Sequence, residues 1–156
     1  MRGHTRWIGL LLAALVVGTA ACSSSSSATG STSQPATSAA ATGDVSVSLN
    51  QWSVTPSATP AAGKVTFTVT NAGTTTHEFV VLKTDTPSAD IEVGKFEGEA
   101  DRINEDTAGT NVGETGDMQP GATSDLTLDL KPGHYVFLCN LPGHYMQGMH
   151  VDVTVS

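Results

Sequence analysis

The sequence predicts an all-β domain, a β-sandwich, behind a non-globular N-terminus. Three observations predict it. From Asp44 onward apolar and polar residues alternate with period two in run after run, no stretch carries a long helical period, and 23 of the 156 residues are Gly or Pro. An aromatic fraction of 5% and a charged fraction of 14% argue against a helical bundle or coiled coil, which need long Ala/Leu/Glu/Lys-rich stretches. A net charge of −8 lacks the basic footprint of a nucleic-acid binder.

The N-terminus reads as an address and a tether. Arg2, His4 and Arg6 precede the apolar run 7–17 and small residues up to Ala21, which is the pattern of a signal peptide over 1–21. That run is shorter than the ~20 apolar residues of a membrane-spanning helix. Thr19, Ala20, Ala21 and Cys22 resemble a bacterial lipobox, with Thr19 where Leu or Val is usual. The resemblance implies that Cys22 becomes the lipidated first residue of the mature protein. An exposed free thiol in an oxidising compartment is a liability, which favours lipidation. Residues 23–43 are Ser, Thr, Ala and Gly with one Gln and one Pro, and no charge. Such a segment cannot bury enough surface to offset its ordering entropy, so 22–43 is expected to be a flexible linker. Its root-mean-square reach would be on the order of 25 Å. The expected location is extracytoplasmic, anchored to a bacterial cell membrane.

The folded domain is expected over 44–156. Val45, Val47 and Leu49 alternate with Ser and Asn, and Val65, Phe67 and Val69 with three threonines. Leu126, Leu128 and Leu130, and then Val151, Val153 and Val155, repeat the pattern. Each run is a half-buried strand bounded by turn residues. Residues 77–83 and 135–138 are more continuously apolar and read as central strands. Segment 84–124 is different: it is weakly periodic and holds ten of the fifteen acidic residues, against Lys95 and Arg102 alone. A short helix or strand is expected near 91–96. Its charge is either a solvated face or a docking face for a basic partner.

The chemistry concentrates in YVFLCNLPGHYMQGM, residues 135–149. Cys139, His144 and Met149 follow one another with four residues between each pair, on a loop opened by Pro142 and Gly143. Thiolate, imidazole and thioether on one loop make a soft ligand set suited to copper. A trigonal His2Cys site needs a second imidazole, and His77 stands at the start of a predicted strand to supply it. Zinc competes for Cys and His, but it does not need a Met in register. Taken singly, Cys139 and Met149 could be core residues and His77 an ordinary strand residue; the joint pattern is what points to a metal. His134 is expected at the surface, His150 opposite to Met149, and Met118 without a role.

The segments THEFVVL (76–82) and KPGHYVFLCNLPGHYMQGM (131–149) resemble the cupredoxins, the blue copper proteins related to plastocyanin, azurin and auracyanin. The resemblance implies a Greek-key β-sandwich holding one type 1 copper ion. It implies His77, Cys139 and His144 as equatorial ligands and Met149 as the weak axial one. Glu78 departs from the Asn that many members carry after the first His; a Glu could accept a hydrogen bond in its place. Electrons would pass at the solvent edge of His144, within an apolar surround of Leu141, Pro142, Tyr145 and Met146.

The function expected is a membrane-tethered carrier of single electrons between redox partner proteins, themselves membrane-associated. It is expected to be a monomer that binds no nucleic acid. No acid–base pair or nucleophile elbow appears, so no catalytic residue is assigned and the chain does not read as an enzyme. The alternative is a copper chaperone or scavenger using the same ligands.

Overall fold

The computed structural model describes residues 41–156. The signal peptide, the lipidated Cys22 and nearly all of the linker lie outside the described residues. Among those described, no helix is long and apolar enough to cross a membrane.

Two four-stranded sheets face each other. The first has the order β2-β1-β3-β8, from β1 (Ala41–Asn50), β2 (Ser53–Pro56), β3 (Pro60–Asn71) and β8 (Thr123–Leu130). The second has the order β10-β9-β4-β7, from β4 (Val80–Lys83), β7 (Thr110–Glu114), β9 (Gly133–Leu138) and β10 (His150–Val155). β1 and β3 run parallel and the other pairs are antiparallel. Sheet neighbours such as β4 and β9 are far apart in the chain, the Greek-key pattern expected. Pairing of β1 with β3 starts at Ala41, three residues before the alternation becomes visible.

Period two explains the first sheet. Val45, Val47, Leu49, Val65, Phe67 and Val69 are buried between the sheets. The threonines of β3 face away and pair with β8: Thr66 with Thr127 at 3.0 Å, Thr68 with Asp125 at 2.8 Å and Thr70 with Thr123 at 3.1 Å. β4 and β9 are buried on both faces, which is why they read as continuous apolar runs.

What covers their outer face is the acidic segment. It holds β5 (Val93–Phe96) and β6 (Glu99–Ile103), paired as a hairpin, and the one-turn helix α1 (Glu105–Ala108). Ile91 and Ile103, helped by Val93 and Ala108, pack on Val80, Leu82, Val136, Leu138 and Tyr145 as a second core. Nine of its ten carboxylates are exposed; Glu105 is half-buried. The segment is therefore an apolar cover with a solvated acidic outside, and where the sequence left a short helix or strand open near 91–96 the structure has a strand, β5.

Phe67 of β3, Phe79 and Phe137 of β9 join the sheets. Their ring centroids are 5.4 Å (67–79), 5.4 Å (67–137) and 5.3 Å (79–137) apart, all tilted or edge-on. Tilted aromatic contacts add to the area each ring buries. Phe67→Ala is expected to cost about 3–5 kcal/mol of unfolding free energy, measured by urea denaturation of the metal-free protein. A loss below about 1 kcal/mol would show that the triad does not join the sheets.

Candidate metal centre

The donors gather at one end of the sandwich, just past the triad. Phe79 lies two residues after His77 and Phe137 two residues before Cys139, so the aromatic contacts fix the strands that deliver both. His77 forms an isolated bridge with Met118: His77 N–H donates to Met118 O (3.1 Å) and Met118 N–H to His77 O (2.7 Å). Met118, to which the sequence assigns no role, is a buried core residue that braces this ligand. Buried Asn71 holds the same loop from within, donating to Thr75 O and Met118 O, each at 2.8 Å. Gly73 accepts no side chain, because a Cβ there would lie 2.8 Å from His77 Nε2.

His144 is set by local chain geometry. Its N–H donates to Leu141 O at 2.9 Å across a turn with Pro142 and then Gly143 at φ +80°. That is the Pro-Gly order a type II turn favours. A 3-10 turn (Tyr145–Gln147) follows, and Met149 N–H returns to His144 O at 3.2 Å. Cys139 N–H closes the loop on Met149 O at 3.0 Å.

These restraints bring Cys139 Sγ, a nitrogen of His77 and a nitrogen of His144 within 4.8 Å of one another. The two Nδ1 atoms are 3.2 Å apart, and Cys139 Sγ is 3.3 Å from His144 Nδ1. Met149 is fully buried in the same core cluster as Cys139. His77 and Cys139 are buried and His144 is half-buried.

Burial leaves the donors neutral. It lowers the pKa of His77, with His144 adding to the effect, and it lowers that of His144. Desolvation pushes the Cys139 thiol up to about 11, against backbone N–H groups of Glu78 and Leu141 that favour the thiolate. The Glu78 N–H···Sγ contact is 3.4 Å. A metal here finds two imidazole lone pairs and displaces one thiol proton.

Glu78 does take up a hydrogen bond. Its Oε1 accepts from Asn140 N–H at 2.9 Å. The buried Asn140 side chain exchanges bonds with Ile103 (2.8 and 3.1 Å) and donates to Glu105 Oε1 at 2.7 Å. The acidic segment is thereby tied to the residue beside the cysteine.

Other expectations need correction. Tyr145 is not part of an exposed apolar surround: it is buried, donates to Ser88 O at 2.6 Å and stacks on His150 at 4.5 Å. Met146 and Pro142 are exposed and Leu141 half-exposed beside His144. His134 is half-buried, bridging Thr84 O (2.7 Å) and Asp152 (2.9 Å), well away from the donors. Sequence reasoning missed Trp52, Asn71 and Asn140, for which no local pattern exists.

The sulfocyanin (SoxE) domain family matches residues 36–156. The chain belongs to the sulfocyanins. Family membership and fold place it among the cupredoxins, blue copper proteins of electron transfer, and the donor set fits one type 1 copper ion. A dithionite-reduced auracyanin from the photosynthetic bacterium Roseiflexus castenholzii is similar, with 25% identity and a TM-score of 0.52, over 75% of this chain and 98% of that one. Auracyanin B shares the fold at 19% identity and a TM-score of 0.51, over 73% of this chain and 88% of its own. No curated protein matches the chain.

Desolvation raises the Glu78 carboxyl to about 7, opposed by the Asn140 N–H and Arg102 and reinforced by Glu105 and Glu114. An unfolded Glu titrates near about 4.3, so between those values the folded state binds the extra proton. Its contribution is full below about 4.3 and is lost as pH rises through about 7. Metal-free protein should lose on the order of 3 kcal/mol from this group between pH 4 and 8. Glu78→Gln should remove that part of the slope. Parallel stability–pH curves for the two proteins would refute it.

Proposed function

We propose that this protein is a membrane-tethered, extracytoplasmic carrier of single electrons, with copper held by His77, Cys139 and His144 equatorially and by Met149 axially. The observation that carries the reading is the convergence of three neutral donors within 4.8 Å on a rigid sandwich end. Bound there, copper would supply a Cu(II)/Cu(I) couple tuned by the axial sulfur and the N–H contacts to the thiolate. The chain's own part is to hold the donors still, exclude water and present one ligand edge outward. His144 is the half-buried donor, with Met146 and Pro142 exposed beside it.

Burial separates this reading from copper delivery. A chaperone must pass its ion to incoming ligands, so its donors need access. Here His77, Cys139 and Met149 are each 0% exposed. Electron passage needs only the ring edge of His144. Partners are proposed to be redox proteins held at the same membrane, where tethering through a lipidated Cys22 raises their effective concentration. We take the protein to act as a monomeric carrier and not as an enzyme.

One equivalent of Cu(II) added to metal-free protein should give an intense thiolate-to-copper absorption and a narrow copper hyperfine splitting. Cys139→Ser should abolish both. A weak tetragonal signal indifferent to that substitution would overturn the copper reading. Separately, deleting 23–40, which stops short of β1, or introducing Cys22→Ser should slow electron delivery to a membrane-bound acceptor while leaving the spectrum intact. Unchanged delivery rates would dismiss the tether.

A further inference from the structure

Gln51 and Trp52 lie in the turn between β1 and β2, on the sheet that supplies no donor. Both nevertheless reach the metal centre. Gln51 Oε1 accepts from Thr74 N–H at 3.1 Å, and its amide donates to Thr74 Oγ1 at 2.8 Å and Thr75 Oγ1 at 3.3 Å. That fixes the loop leading into His77. The half-buried Trp52 indole meets the His144 ring edge-on, with centroids 4.9 Å apart at 68°. It meets the His77 ring at 6.3 Å and 86°, while the two imidazoles are themselves 5.0 Å apart. Three rings thus form one edge-on cluster.

A metal-binding His usually donates its second N–H to a carboxylate or carbonyl, which fixes the ring plane. Among the described residues, the hydrogen bonds of the His144 side chain go to His77 and Cys139 alone. No outer acceptor orients it. His77 Nε2 is likewise buried without a hydrogen-bond partner. We propose that Trp52 is the positioning residue of the metal centre: its indole, in place of a hydrogen bond, fixes the His144 ring. The proposal rests on the copper reading above for its effect on the metal, but the contact itself is a property of the metal-free chain.

The test compares the full chain with Trp52→Phe and Trp52→Leu. With copper bound, Trp52→Leu should lose Cu(I) to an excess of a strong chelator roughly tenfold faster or more, with a displaced thiolate-to-copper band. Trp52→Phe, which keeps a ring, should recover most of both. In metal-free protein, NMR should show the His144 ring protons displaced by the indole ring current, with the displacement lost in Trp52→Leu. A folded Trp52→Leu with unchanged release, spectrum and His144 resonances overturns the proposal. If Trp52→Leu does not fold, Trp52→Met is compared with Trp52→Phe, and equal behaviour of the two overturns it. If unsubstituted protein shows no thiolate-to-copper band, the copper reading fails, while the metal-free resonances still decide whether Trp52 fixes His144.

Discussion

Three donor atoms held within 4.8 Å of one another, two of them fully buried, are the constraint on which the rest of this structure depends. The contacts of 3.2 Å between imidazole nitrogens and 3.3 Å from sulfur to nitrogen are short hydrogen bonds among three donor atoms, and they leave each atom little freedom to turn away. Neutrality limits the cost, since burial keeps the imidazoles uncharged and the thiol protonated. It does not supply the geometry. Each donor has to be positioned by forces acting elsewhere, and the surrounding fold divides that work.

Long-range packing delivers His77 and Cys139. The Phe67, Phe79 and Phe137 rings lock one strand of the first sheet to the chain segments that carry these two ligands. Met118 then holds the His77 backbone, and Asn71 holds both Met118 and Thr75 of the loop before it. Short-range backbone bonding delivers His144 and Met149, through the Leu141 turn and the closing bond from Cys139 to Met149. The acidic segment belongs to the same system. Its isoleucines seal the outer face of β4 and β9, and its Ile103 and Glu105 hold Asn140, the residue after the cysteine, whose N–H also donates to Glu78. Its exposed carboxylates are the solvated side of that cover.

The sequence makes some of this legible and hides the rest for a physical reason. Strands half-buried on one face must alternate, so β1, β3, β8 and β10 can be read directly, and the donors announce themselves because Cys139, His144 and Met149 are evenly spaced on one loop. Asn140 looks like any loop Asn, and its partners Ile103 and Glu105 lie 37 and 35 residues away. Asn71 reaches Met118 across 47 residues. Trp52 is a lone aromatic in a turn whose neighbour, His144, is at the other end of the domain. Tyr145 reads as apolar surround from its position beside His144, but its hydroxyl finds Ser88 O and draws the ring inward. β5 and β6 are short and mostly exposed, so no alternation marks them.

The same division of labour bears on what can pass through the site. On the proposed ligand set, an ion leaving the pocket would have to part from three fully buried side chains, His77, Cys139 and Met149, and the loop carrying Cys139, His144 and Met149 is closed by the Cys139–Met149 backbone bond. An electron needs no such opening, because His144 is only half-buried and its chain neighbours Met146 and Pro142 are exposed. A scaffold that fixes donors from both sheets makes ligand rearrangement costly, and costly rearrangement is what a metal-delivery protein must avoid. The rigidity that hinders release also keeps the ligand geometry nearly constant between two oxidation states. Burial of three of the proposed ligands, loop closure and the partial exposure of His144 therefore favour electron exchange over metal exchange on the same physical grounds.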